Sequence, residues 1–379
     1  MGSDVKGIAI LGSTGSVGRQ TLEVVRSFPQ HFSVVGLAGW TNLALLREQV
    51  EEFKPTKIFY RDMGDEATSS GTTKTTTATM EEMVRHPQVD MVVVATTGPA
   101  GLLPTLAAMR AGKEVALASK EVIVMAGPLI AQEVARGAIL LPVDSEPSAI
   151  WQCLVGEDPD IARLIITASG GPFRTRPVED LATVTPEEAL QHPTWHMGKK
   201  ITVDSATLMN KAFEVIEARW LFGVAWDKIE VVLHPQSIVH SLVEFQDGSV
   251  KAQMALPDMR LPLQYALFYP RRVQNQWLAR LDMNKIGSLS FEPFGKDRYP
   301  CFSIALEAAQ AGGTYPAALC AADDVAVSLF LDGKLAFPGI PRLVKRIVDE
   351  HQPGSATSLD DVMGAEEWAR RRSLELANA

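Results

Sequence analysis

The sequence predicts an α/β protein with a Rossmann-like, doubly wound parallel sheet at its amino end, a central α+β catalytic or connective domain and a small helical domain at its carboxyl end. Three observations lead there. From residue 6 onward, short β-branched runs alternate with helical patterns, the rhythm of βαβ units. After about residue 150 the strands lengthen and are joined by hairpin signals. From about residue 301 helical patterns follow one another, separated by Gly and Pro.

In order, "GIAILG" is the first strand, followed by a helix from Gly18 to about Ser27. "FSVVGLAG" is the second, with a helix near 42 to 53 behind it, and "TKIFY" is the third. "ATSSGTTKTTTAT" (67–79) is low in complexity, and its β-branched threonines equally suit a short strand. "DMVVVAT", the helix "GLLPTLAAMRAG", "EVALAS", the helix "GPLIAQEVARG" and "AILLPVD" complete a nucleotide-binding domain over residues 1–150. "ARLIITASGG" and "KIEVVLHPQSIVHSLVEFQDGSVKAQMALP", with "QDGS" as a tight turn, mark a central domain over 151–285. Weak periodicity from about 271 to 300 suits a connecting segment, and the chain is divided there into a linker over 286–312 and the helical domain over 313–379. No internal repeat is visible.

A formal net charge of −9 without a basic block argues against a nucleic-acid surface and for small-molecule partners. Three widely spaced cysteines give neither a disulfide framework nor a zinc cluster, which suits a reducing compartment. No apolar run reaches the roughly 18 residues of a membrane span, and "MGSDVKG" lacks the pattern of a secretion signal. A cytoplasmic protein is expected.

Gly12, Gly15 and Gly18 in "GIAILGSTGSVGRQT" sit between a strand and a helix. Glycines let backbone approach a pyrophosphate, and the helix start offers unpaired N–H groups. At the end of the second strand, "GLAGWTN" has no acid to grip a ribose 2′-hydroxyl, which leans away from NAD. It has no Arg or Lys for a 2′-phosphate either, leaving Trp40, Thr41 and Asn42 for that task.

Asp144-Ser145-Glu146 follows the apolar run "AILLPV". On extended backbone, residues two apart point the same way, so the two carboxylates could converge on a hard cation such as Mg²⁺ or Mn²⁺. By itself the triplet suits a solvated loop better. "VDSATLMNKAFEVIEARW" (203–220), read as one helix, sets Asn210 and Lys211 over Glu214 on one face. Its mostly apolar surroundings favour a buried helix over a surface ion-paired one, and make Glu214 a third carboxylate for the cation. Ser169 in "ITASGGPFR" fits an anion site or a turn. His192, Trp195, His196 and Met197 lie on a turn-rich segment that fits a closing loop as well as a packed one. With Ser205, Asn210 and Lys211 they suit a phosphate pocket.

Together, "LGSTGSVG", "ALASKE", "PVDSE", "SGGPF", "HPTWHMGKKITVDSATLMNK" with Glu214, "LHPQSIVHS" and "PDMR" resemble the 1-deoxy-D-xylulose-5-phosphate reductoisomerase family in order and spacing, from residue 7 to about 345. The resemblance implies an NADPH- and divalent-metal-dependent enzyme of the non-mevalonate isoprenoid pathway, usually a homodimer. Such enzymes rearrange 1-deoxy-D-xylulose 5-phosphate and reduce it to 2-C-methyl-D-erythritol 4-phosphate. It implies metal ligation by Asp144, Glu146 and Glu214, and contacts from Ser145 and Lys120 to the hydroxyl and carbonyl end of the substrate. It implies phosphate contacts from Ser169, Ser205, Asn210 and Lys211, with His192 and Trp195 on the closing loop. Thr14, Gly15, Ser16, Val17, Trp40 to Asn42, Ser119, Glu121 and Gly198 would line the NADPH site, with Met259 near the nicotinamide. The chain departs from the family's usual residues at Pro147 (His), Trp40-Thr41 (Gly, then a basic or small residue), Ser119 (Asn), and Cys320, Asp323 and Asp324 (Asn, Asn and Glu). The competing readings are a semialdehyde-dehydrogenase-like enzyme, which would need Cys153 as nucleophile, and a non-catalytic NADPH-binding protein.

Overall fold

The computed structural model describes residues 5–61, 75–157, 160–195 and 197–377; His196 and residues 67–74 of the Thr/Ser-rich stretch lie outside them. The chain divides into two compact units. The first comprises Met1–Ser119, Gln132–Asp144 and Asp258–Leu278, and the second Lys120–Ala131, Ser145–Pro257 and Ala279–Ala379.

The first unit is built on a parallel sheet of β1 (Lys6–Leu11), β2 (Phe32–Gly39), β3 (Lys57–Tyr60), β4 (Thr76–Thr77), β5 (Met91–Val94), β6 (Glu114–Leu117) and β7 (Leu140–Pro142). Its order is β4-β3-β2-β1-β5-β6-β7. Ile8 to Leu11 and Met91 to Val94 have no exposure, because a parallel strand between two helical layers is apolar on both faces. The order reverses between β1 and β5, and the crevice beyond the carboxyl ends of such a pair is where a doubly wound sheet receives ligand.

The glycine loop lies at that crevice. Gly12 has φ +87, and a Cβ there would come 2.3 Å from the Ala95 carbonyl oxygen. At Gly18 a Cβ would come 2.2 Å from the Gly12 carbonyl oxygen, so both positions exclude any larger residue. The helix after the loop runs Ser16–Ser27, starting two residues before the expected Gly18 with Gly15 as its cap. On the unit's far side Phe268 meets Phe28 and Phe32 edge-on, each at 4.8 Å, which docks the Arg260–Phe268 helix.

The second unit holds a mixed sheet of β8 (Ile161–Ala168), β9 (Ile229–Leu233), β10 (Val239–Phe245), β11 (Val250–Met254) and β12 (Glu292–Pro293), in the order β11-β10-β8-β9-β12. Three neighbouring pairs are antiparallel and β8–β9 is parallel. The "QDGS" turn closes the β10–β11 hairpin, with Gly248 at φ +84 and the Phe245 N–H donating to the Ser249 carbonyl.

The stretch 203–220 is not the single helix that periodicity suggests. Leu208 adopts a left-handed conformation (φ 55) and separates a Lys199–Thr207 helix from a Met209–Phe222 helix. Left-handed backbone costs a leucine roughly 1–2 kcal/mol. Burial of its side chain to 2% exposure offsets that, and no glycine announces the break. Helices Pro300–Ala311, Tyr315–Leu331, Gly339–Glu350 and Leu359–Ala377 complete the unit, as the Gly and Pro spacing leads one to expect.

Candidate active site

Asp144 ends the first unit and is bonded directly to Ser145, where the Ser145–Leu154 helix begins. Extended backbone through Asp144-Ser145-Glu146 is therefore incorrect. The carboxylates meet because a strand end and a first helical turn adjoin, and that turn is electrostatically suited to acids. One oxygen each of Asp144, Glu146 and Glu214 lies within 4.8 Å of the others. Asp144 and Glu214 are only 8% and 1% exposed, so this is no solvated loop. Pro147 falls in the same first turn, where its missing N–H has no helical acceptor to lose. Pro147→His is expected to leave the Mg²⁺ requirement unchanged in a titration of turnover against Mg²⁺. A half-saturating concentration moved more than about tenfold, the scale at which supporting groups act on a metal site, would contradict this.

Two buried lysines face the carboxylates. Lys211 donates to Glu146 Oε1 at 2.7 Å and to Glu214. Lys120, the first residue of the Lys120–Ala135 helix, donates to Asn210 Oδ1 at 2.6 Å and to Glu214 Oε1 at 3.3 Å. Asn210 Nδ2 donates to Glu214 Oε1 at 2.5 Å, as the i, i+4 spacing suggests. Ser145 donates its hydroxyl to Glu146. Burial works against the charged form of Glu146, but Lys211 outweighs it and holds the carboxyl at about 2. Burial likewise opposes charge on Lys211, and Glu146 and Glu214 raise its pKa nonetheless. This oxygen-only trio is a hard donor set that fits Mg²⁺ or Mn²⁺.

Beside it, Ser169, just after β8, meets His192. His192 Nδ1 accepts from the N–H groups of Thr194 and Trp195 at 3.2 and 3.0 Å. The ring proton therefore sits on Nε2, which donates to Ser169 Oγ at 3.1 Å. Ser169 Oγ also accepts from the Gly171 N–H, so its own proton is available to an anion. Ser205 lies close by through its backbone: Gly171 has φ +69, and a Cβ there would come 2.4 Å from the Ser205 carbonyl oxygen. Asn210 and Lys211, expected at the phosphate with these serines, also hydrogen-bond the carboxylates.

Burial, and then Lys211, lowers the His192 pKa to about 4. Its unfolded value is near 6.5, so between pH 6.5 and 4 the unfolded chain binds the extra proton. Stability from this group is thus complete above pH 6.5 and falls as the pH drops towards 4. NMR titration of the His192 ring should show it neutral at pH 6, and a midpoint near 6.5 would contradict the buried setting.

Two histidines of "LHPQSIVHS" have distinct environments that the sequence does not distinguish. His234 is structural: its Nε2 accepts from Ile238 and Val239 N–H, and its Nδ1 donates to the Ser290 carbonyl at 2.8 Å. His240, 7% exposed, packs its ring 6.0 Å from that of Trp195, and both Glu146 and Lys211 act on it. Burial is the main cause that lowers its pKa. Sequence reasoning gave His240 no role; it lies in β10 at a register shift between Val239 and Ser241 that no local pattern announces. Cys153 is buried in the Ser145–Leu154 helix, away from any nucleophile's exposure.

Of the residues assigned to the cofactor, Thr14 to Val17 form the glycine loop and first helical turn, while Trp40 to Asn42 form the turn after β2. Ser119 caps the Lys120 helix and gives its hydroxyl to the Thr96 carbonyl at 2.5 Å. Glu121 lies 3.7 Å from Lys200, which also binds Asp204 and Asp323 at 2.7 Å each. Gly198 caps the Lys199–Thr207 helix, and Met259 caps Arg260–Phe268 in the first unit.

A parallel sheet with a glycine loop at its switch point, together with a carboxylate trio met by two buried lysines, defines a nucleotide-dependent oxidoreductase that also uses a divalent cation. The chain belongs to the 1-deoxy-D-xylulose 5-phosphate reductoisomerase family. Family models described as 1-deoxy-D-xylulose 5-phosphate reductoisomerase, its C-terminal domain, and the DXP reductoisomerase C-terminal domain match residues 8–127, 140–222 and 254–372. It is 49% identical to the 1-deoxy-D-xylulose 5-phosphate reductoisomerase of Pelotomaculum thermopropionicum over 98% of each chain. It is also 49% identical to that of Caldanaerobacter subterraneus over 98% of this chain and 99% of the other. Among solved structures, the Zymomonas mobilis enzyme in complex with NADPH superposes with a TM-score of 0.91 at 37% identity, covering 99% of this chain and 100% of that one. A DOX-P reductoisomerase bound to NADPH, fosmidomycin and magnesium gives 0.93 at 36% identity, covering 99% and 98%. No helix among the described residues is long and apolar enough to cross a membrane.

Proposed function

We propose that this chain rearranges 1-deoxy-D-xylulose 5-phosphate and reduces it to 2-C-methyl-D-erythritol 4-phosphate, using NADPH and Mg²⁺ or Mn²⁺. The observation that carries the reading is the convergence of Asp144, Glu146 and Glu214 on one point, with Lys120 and Lys211 beside it. Asp144, Glu146 and Glu214 hold the cation. When bound, the cation supplies polarisation of the substrate's carbonyl and NADPH supplies hydride.

The remaining work belongs to the chain. Lys120 places an ammonium beside Glu214, close enough to offset negative charge developing on the substrate's oxygens and to move a proton there. Ser145 orients the adjacent hydroxyl. Ser169 donates its free proton to the phosphate, and Ser205, Asn210 and Lys211 complete that pocket. Trp195, packed on His240, closes the 192–198 segment over the sugar and excludes water from the aldehyde before reduction. The glycine loop, with Thr14 to Val17, takes the NADPH pyrophosphate, and Ser119, Glu121, Gly198 and Met259 line its path. The active form is read as a cytoplasmic homodimer.

Following NADPH absorbance with 1-deoxy-D-xylulose 5-phosphate tests this reading. Oxidation should require Mg²⁺ or Mn²⁺ and stop on chelation. No metal-dependent oxidation would contradict it.

A further inference from the structure

The turn after β2 carries no charge, since Trp40, Thr41 and Asn42 offer an indole, a hydroxyl and an amide. The strand end that leads into it nonetheless lies against the glycine loop, because a Cβ on Gly39 would touch the Thr14 side chain at 3.4 Å. In a doubly wound sheet the adenosine ribose lies beyond the end of this second strand, and a dinucleotide carrying a 2′-phosphate asks for a cation there.

The neighbouring strand brings one. In the β2–β3 pairing Gly39 sits opposite Tyr60, so Trp40 and Arg61 follow as adjacent residues beyond the carboxyl ends of the two strands. The Arg61 guanidinium lies 4.8 Å from the centre of the Trp40 ring. Phe59 approaches the same ring at 6.2 Å. The Tyr60 hydroxyl donates to the Thr41 carbonyl at 3.2 Å and ties the turn to the strand. Asn42 Oδ1 accepts from the Leu45 N–H as a helix cap, so the acceptor end of its amide is engaged and Nδ2 is its donor group. Among the described residues no carboxylate forms a salt bridge with Arg61.

We infer that Arg61 is a specificity-determining residue for the cofactor: stacked on Trp40, it supplies the cation that recognises a 2′-phosphate, with Thr41 and Asn42 as hydrogen-bonding partners. The inference rests on the reading of the chain as an NADPH-dependent enzyme. A guanidinium lying against an aromatic face loses little freedom when it binds, and its planar fork can meet two phosphate oxygens at once. A ribose 2′-hydroxyl offers no such partner. Arg61 therefore separates NADPH from NADH without any basic residue in the turn itself.

Calorimetric binding of NADPH, NADH, 2′-phospho-ADP-ribose and ADP-ribose to the full chain tests this without turnover. For Arg61→Gln, the two 2′-phosphorylated ligands should weaken by about ten- to hundredfold, while NADH and ADP-ribose change by less than about twofold. Arg61→Lys should recover part of the loss, and the wild-type salt dependence of NADPH binding should flatten in Arg61→Gln. Equal weakening of all four ligands would make Arg61 a prop for Trp40 and overturn the inference, as would no weakening at all. A wild-type chain that binds none of the four would overturn the functional reading together with it.

Discussion

Glu214→Gln is expected to lower kcat/KM by about a thousandfold or more while the chain still folds. Glu214 joins the carboxylate trio to the buried lysines. It accepts from Lys120, Asn210 and Lys211, and its carboxylate shares the point where Asp144 and Glu146 meet. The amide keeps the size and one acceptor but removes a charge, so the cation loses a ligand and two buried ammonium groups lose a counter-charge. Stability should fall by up to about 3 kcal/mol, because Glu146 still neutralises Lys211. Circular dichroism separates that loss from unfolding. Cys153→Ala is the control: a buried packing position should cost turnover little. The reverse pattern, with Cys153→Ala inactive and Glu214→Gln active, would point to semialdehyde-dehydrogenase chemistry instead.

Lys211→Met is expected to have the second largest effect, with opposite consequences for substrate and cation. Lys211 is 4% exposed and spans Glu146 and Glu214, the oxygens assigned to the cation. Its ammonium and a divalent cation compete for the same lone pairs. With a chelator present, removing it leaves the buried Glu146 and Glu214 carboxylates facing each other, with Lys120 still donating to Glu214, at a cost of about 3–5 kcal/mol. Mg²⁺ should return more thermal stability to this variant than to the wild type, because binding to the folded chain alone raises its stability. The KM for 1-deoxy-D-xylulose 5-phosphate should rise as the phosphate loses a cation. An equal Mg²⁺ effect on both melting temperatures would show that Lys211 and the cation do not share these oxygens.

Local signals explain what was legible in the sequence. Alternating apolar runs and helical patterns announced the parallel sheet, since Ile8 to Leu11 and Met91 to Val94 are buried on both faces and carry no polar interruption. Gly12 and Gly18 announced the loop because only glycine fits there. The Asn210, Lys211 and Glu214 face followed from helical spacing alone. Where a fold depends on distant packing, the sequence was silent or misleading. Leu208 breaks a helix with no glycine to mark it, stabilised by its own burial. Ser145 starts a helix with Val143 and Asp144 alone between it and the end of β7, so Asp144 and Glu146 converge by a route that alternation along a strand does not describe. Arg61 reaches Trp40 through the β2–β3 register, His240 sits at the register shift of β10 between Val239 and Ser241, and neither lies near its functional neighbours in sequence.

Asp144, Glu146 and Glu214 are expected to hold one divalent cation. Titrating Mn²⁺ into the chain and following free Mn²⁺ by electron paramagnetic resonance tests that directly. One site per chain is expected in the wild type, weakened by at least about tenfold in Glu214→Gln and untouched in Arg61→Gln. Undiminished Mn²⁺ binding by a folded Glu214→Gln chain would contradict it.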